Sequence, residues 1–263
     1  MADNRVFRGF DITTGTWADG VAIGAAGLGL ALFLLLLVLR RNRDLTLYDN
    51  HLAWLRACIY FLVCISLSAA FGVTERLLAD PWGSSDPSSI VWLASTAVYL
   101  AIIVYGYWIY WPRGTYTQGR QVYWTFLPFA LTWGFCEAQL WLVFWALFEM
   151  VGLSTIWVAA LTFAAGTLLY PWHMHYWDMY VAPAHNILEL NGRKALASHI
   201  PNSTVAVIYF AVFESVAIHV MMQALALVAA ALYMRFPPPW RSEWFGQPIY
   251  RFGGRTRDEL NLS

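Results

Sequence analysis

Residues 21–39, VAIGAAGLGLALFLLLLVL, contain no charged side chain. At a rise of 1.5 Å per residue, a helix of this length covers the roughly 30 Å hydrocarbon core of a bilayer. Backbone amides in hydrocarbon must find partners inside their own segment, so the run predicts a transmembrane helix. It is also longer than the apolar core of a secretory signal, and so reads as a resident span. The rest of the chain is therefore read with lipid, not water, as its main solvent.

Similar runs recur over Leu52–Val73, Ile90–Trp111, Tyr123–Val151, Thr155–Tyr170 and Thr204–Phe236. Turn-forming stretches divide them: ADPWGSSDPSS, the proline after the aromatic belt YGYWIYW, Gly152 with Ser154, and Pro237 to Pro239. The pattern predicts an all-α fold, a polytopic integral membrane helix bundle of about six transmembrane helices. One transmembrane domain covers 1–263, with a His/aromatic-rich connector over 171–202 and a polar C-terminal tail over 237–263. Charged residues are 12% of the chain, about half the share in an ordinary soluble domain. Cys58, Cys64 and Cys136 all lie within apolar runs and read as small buried hydrophobes.

Orientation follows from Lys and Arg, which concentrate in cytoplasmic loops. Arg40, Arg41, Arg43, Arg113, Arg120, Arg193 and Lys194 follow the first, third and fifth runs, whereas Arg5, Arg8 and Arg76 occupy the other side. The N-terminus is expected outside and the 171–202 segment on the cytoplasmic side. Six crossings leave Arg235, Arg241, Arg251, Arg255 and Arg257 of the tail outside, against the rule. A seventh crossing hidden in 171–202 would remove that conflict.

The 16 basic and 16 acidic residues cancel, leaving no field to attract nucleic acid. The expected partners are a lipophilic small molecule and membrane lipids, with the chain forming a homo-oligomer or a subunit of a membrane complex. The 15 Trp exceed what two interfacial belts of a small bundle need, and some are expected to line an apolar cavity. No Gly-rich phosphate loop, GxSxG elbow or intramembrane lysine is present.

An ionisable side chain in hydrocarbon costs about 2.5–3.5 kcal/mol, so each needs a partner or a task. Glu137 lies at the middle of the fourth run, between Trp133 at i−4 and Trp141 at i+4. Shielding by indoles favours the neutral acid, the form that can act as a general acid. The competing reading is a structural Glu hydrogen-bonded to a neighbouring helix. In the last run, read as one helix, Glu214 and His219 lie near the middle. Ser215, His219 and Gln223 share one stripe and Glu214 faces about 140° away from His219, so this helix is expected to be surrounded by protein. Asn202 fits a glycosylation sequon but abuts the last run and is expected to cap it.

The connector holds His173, His175, Asp178, His185, Glu189 and His199, enough donors for a metal site or an acid-base relay. His175 and Asp178 are three apart, so they meet on one face if their stretch is helical. The stretch YVAPAHN, residues 180–186, resembles the histidine-bearing segment of copper membrane monooxygenase subunits. The Asp, His, His spacing of that family's copper site is absent, so no ligand is carried over. A buried Glu among aromatics with a second polar site also resembles, in chemistry alone, integral membrane terpene cyclases and sterol isomerases.

The leading expectation is an intramembrane enzyme acting on an isoprenoid, steroid or hydrocarbon by non-redox acid-base chemistry, as an isomerase, hydratase or cyclase. Glu137 would donate the proton, and Asp178 with His175 or His185 would form the base. Glu214 and His219 are the further catalytic candidates, and Trp133, Trp141, Trp172, Tyr176 and Trp177 would hold the substrate. No cofactor is expected. The alternative is an oxygenase or electron carrier with copper, iron or haem on His173, His175 and His185, and the third reading is a transporter or structural subunit.

Overall fold

An apolar chain has to close its backbone hydrogen bonds locally, and helices do this without help from neighbours. The computed structural model describes residues 6–7, 23–32, 34–35, 47–48, 50–84, 86–110, 127–177, 195–234 and 247–248, and over these the protein is all-helical apart from short turns and one two-residue pairing. The helices are α1 (Ile23–Leu32), α2 (Asn50–Ala70), α3 (Val73–Ala79), α4 (Ile90–Ile103), α5 (Leu127–Met150), α6 (Thr155–Trp177), α7 (Ile200–Phe213) and α8 (Val216–Met234). Wider π-helical turns extend α4 through Val104–Tyr110 and lead into α7 through Ala195–His199. Strand β1 (Leu47–Tyr48) pairs antiparallel with β2 (Gln247–Pro248).

Among the described residues three helices are long and apolar enough to cross a membrane, namely Ile90–Tyr110, Leu127–Met150 and Leu196–Phe213. Cys58–Ala70 and Val73–Ala79, at 70° to each other, pass the same test together and make a fourth candidate if the bent pair is one span.

Helix α5 forms the centre, packing against α2, α6 and α8. Trp133, Trp145 and Leu142 on it are almost fully buried. Its contact with α8 is close because Gly134 has no side chain: an added Cβ would stand 2.8 Å from the Ala224 carbonyl oxygen and 3.1 Å from its Cα. Small residues at such crossings let backbones approach and give van der Waals packing, the main attraction between helices in lipid.

The structure corrects three sequence expectations. The run Thr204–Phe236 is not one helix but two antiparallel helices joined at Glu214 and Ser215. The proof is Asn202, which exchanges two 3.0 Å hydrogen bonds with Gln223, 21 residues away. A continuous helix would separate these residues by about 32 Å. Glu214 turns the chain with left-handed dihedrals, φ 52° and ψ 22°. The backbone groups freed by the turn are met by the loop after α3. Phe213 O accepts from the Ser84 amide and hydroxyl, and Pro81 O accepts from the Ala217 amide and the Ser215 hydroxyl.

The second run likewise breaks, at Phe71 and Gly72, where Gly72 takes φ 74°. Glu75 and Arg76 belong to α3, and Arg76 pairs with Asp80 at 2.9 Å. The fifth run, read as ending at Tyr170, continues as helix α6 to Trp177. The polar and aromatic residues 171–177 complete a helix because backbone in an apolar setting gains from every internal hydrogen bond.

Candidate functional site

Glu137 sits on the buried side of α5 with 9% of its surface exposed. One helical turn earlier, Trp133 points the same way and donates its indole N–H to the Glu137 carboxyl. Helix α2 brings the Tyr60 hydroxyl to the carboxyl and the Cys64 thiol to Tyr60. Cys136, adjacent in sequence, lies beside Cys64. The π-helical turn after α4 buries Tyr107 within electrostatic reach of the same acid. Such widened turns recur at functional sites because they re-aim a side chain that a regular helix would misplace. The acid is thus met by one indole and one phenol, with the Tyr107 hydroxyl and the thiols of Cys64 and Cys136 farther off within electrostatic reach.

A polar chain continues from Tyr107. Its hydroxyl accepts from Asn202 Nδ2 at 3.3 Å, Asn202 and Gln223 are joined reciprocally, and Gln223 Nε2 donates to the Tyr99 hydroxyl at 2.7 Å. The Tyr99 ring meets Tyr209, whose hydroxyl lies 2.8 Å from Thr96 Oγ1. Asn202 therefore does not cap α7: it lies in the first turn with Pro201 and its amide points into the bundle. A second cluster supports the bend of the second run. Gln139 Oε1 accepts from Ser68 at 2.9 Å and from Thr74 at 3.2 Å, one residue on each side of the break.

His219 occupies a third position. It is fully buried in α8, with Trp141 at 4.6 Å between ring centroids and Phe210 edge-on at 5.9 Å. Neither ring nitrogen has a hydrogen-bond partner among the described residues. The Ala138 carbonyl is near enough to act on the ring but lacks hydrogen-bond geometry.

Of the sites named from sequence, the structure brings together Glu137 and Trp133, and separately His219 and Trp141. Trp141 thus serves the imidazole and not the acid. Glu214 is at the turn between α7 and α8 and half-buried, not deep in a helix. Trp172, His173, His175, Tyr176 and Trp177 lie on the last turns of α6, with their side chains outside the described set. Asp178 and His185 lie outside the described residues. Among the described residues no three His, Cys, Asp or Glu side chains converge as metal ligands. Sequence reasoning missed Tyr60, Tyr99, Tyr107 and Asn202, whose polar atoms lie on residues that read as apolar filling or as a cap. No known protein family matches the chain, and neither does any curated protein or solved structure.

Proposed function

We propose that this chain is an integral membrane enzyme that acts on a lipophilic substrate by acid-base chemistry, with Glu137 as the proton donor. The observation that carries the reading is the carboxyl group of Glu137, buried at the centre of the bundle and met by Trp133 and Tyr60. Placing a carboxyl there is expensive. The donors around it orient one oxygen and leave an O–H to transfer. Donation breaks that O–H bond and forms a C–H or O–H bond on the substrate. A proton lost from the product carbon then returns to the carboxylate, so isomerisation or cyclisation closes without an oxidant. The indole of Trp133 adds a π face able to attract developing positive charge.

The bundle we propose crosses the membrane seven times, through α1, the bent α2–α3 unit, α4 with its π turn, α5, α6, α7 and α8. Three contacts between distant segments support this order. Strand β1 pairs with β2, the Pro81–Ser84 loop meets the α7–α8 turn, and the Val6 and Phe7 amides meet Glu149. An odd number of crossings puts all of Arg235, Arg241, Arg251, Arg255 and Arg257 on the side of Arg40, Arg113 and Arg193, as the positive-inside rule requires. The orientation is N-terminus outside and tail inside.

Two measurements test these assignments. Glu137→Gln keeps the shape and removes the proton, so the folded variant should lose at least a hundredfold in turnover, the low end of a general acid's usual contribution of about 10²–10⁴. Undiminished turnover sinks the donor role. For the topology, cysteine at Ser84 in a variant without Cys58, Cys64 and Cys136 should react with an impermeant thiol reagent in intact cells. Cysteines at Arg193 and Ser242 should react only after permeabilisation, and outside labelling at Ser242 removes the seventh crossing.

A further inference from the structure

We propose that His219 holds the hydroxyl group of a lipophilic alcohol, in a site that Phe7 closes. A neutral imidazole carries one donor and one acceptor. With neither nitrogen hydrogen-bonded among the described residues in a fully buried position, the ring forfeits hydrogen bonds it would make in water. On the same stripe of α8, Gln223 one turn on joins Asn202 and Tyr99, and Ser215 one turn back joins Pro81, whereas His219 between them joins neither. The exception calls for a partner that binds from outside the chain.

The surroundings specify what kind of partner. Trp141 lies against one face of the imidazole and the edge contact with Phe210 closes another side. Walls of this type suit hydrocarbon, with a single polar group directing orientation. A hydroxyl both donates and accepts, so it can bond to either imidazole nitrogen in whichever tautomer is present. A charged head would instead be left uncompensated.

The entrance is marked by Phe7. Its ring stacks on Phe210 at 5.8 Å and 5° between planes, and it is 1% exposed although no regular element holds it. Phe210 therefore has Phe7 on its face and His219 at its edge. Two backbone amides, of Val6 and Phe7, anchor this stopper to the Glu149 carboxyl, each at 3.3 Å. These bonds are longer than the usual 2.7–3.2 Å range for N–H···O. Trp145 holds the same carboxyl at 2.8 Å and packs edge-on against Phe210 at 4.9 Å, so the anchor is built into α5. Withdrawal of Phe7 would uncover the face of Phe210, whose ring also meets the imidazole.

The test measures binding, so this site and the reaction assigned to Glu137 fail separately. Full-length protein in lipid nanodiscs is titrated with tritiated farnesol, and farnesene, the hydrocarbon without the hydroxyl, is the competitor. The wild type should bind farnesol saturably at one site per chain, with farnesene at least tenfold weaker. In His219→Phe, which keeps an aromatic ring, that preference should disappear, whereas His219→Gln, which keeps a donor and an acceptor, should retain it. Phe7→Ala should accelerate farnesol association severalfold and leave the preference unchanged. Absence of saturable binding to the folded wild type, as when water alone meets the imidazole, overturns the proposal. So does a tenfold preference that survives in His219→Phe.

Discussion

The antiparallel pairing of α7 and α8 can be tested by a double-mutant cycle on Asn202 and Gln223. The substitutions are Asn202→Leu and Gln223→Met, which keep size while deleting the amides. In the structure each amide donates one 3.0 Å bond to the other, and Gln223 makes a further bond to Tyr99 while Asn202 reaches Tyr107. Each single change strands the opposite amide in a buried site, a loss of about 1–3 kcal/mol. The double change strands neither amide in that way, although the two tyrosine hydroxyls still lose partners. Inter-helix hydrogen bonds in a bilayer average about 0.6 kcal/mol and reach about 1.7. Two reciprocal bonds therefore predict a coupling of about 1–2 kcal/mol. Unfolding free energies of the four proteins in mixed detergent give the coupling directly. Were the stretch one helix, the two positions would be some 32 Å apart and independent, and distant sites add within about 0.5 kcal/mol. A coupling inside that band refutes the hairpin.

Two further substitutions examine the contacts that hold the bundle. Gly134→Ala places a Cβ against the backbone of Ala224, which has no flexible end to yield, so thermal unfolding should show a loss of about 1–3 kcal/mol. The control Gly27→Ala, with nothing within 4 Å, should be neutral or stabilising by up to about 1 kcal/mol. Gly83→Ala forces a side chain onto a residue at φ 60° and into the Glu214 carbonyl, and should lower the unfolding temperature while increasing protease cleavage near residue 214.

What was legible in the sequence depends on how far the deciding interaction reaches. Glu137 and Trp133 could be paired from sequence because they share one helix at i, i+4, and their hydrogen bond needs no partner segment. The bend at Gly72 left a local mark in the glycine, though not its 70° angle. The α7–α8 turn left almost none. Residues 204–236 have no glycine, and no proline before Pro237, and the polar pair Glu214 and Ser215 looked like a buried site because it sat halfway along a run too long for one span. A 33-residue apolar run was itself a hint, since a span needs only about 20. The break is possible because Pro81 and Ser84, more than 120 positions away, supply the missing backbone partners. Tyr60 and Tyr107 escaped notice for the same reason, being polar only at one distal atom that finds Glu137 or Asn202 through tertiary packing. His219 is the reverse case. Its depth was readable, but its significance rests on both nitrogens lacking partners, a property only the assembled helices can have. Chemistry carried on one turn of one helix could thus be read from the chain, while the isolation of the imidazole emerged only once α5, α7 and α8 were packed around it.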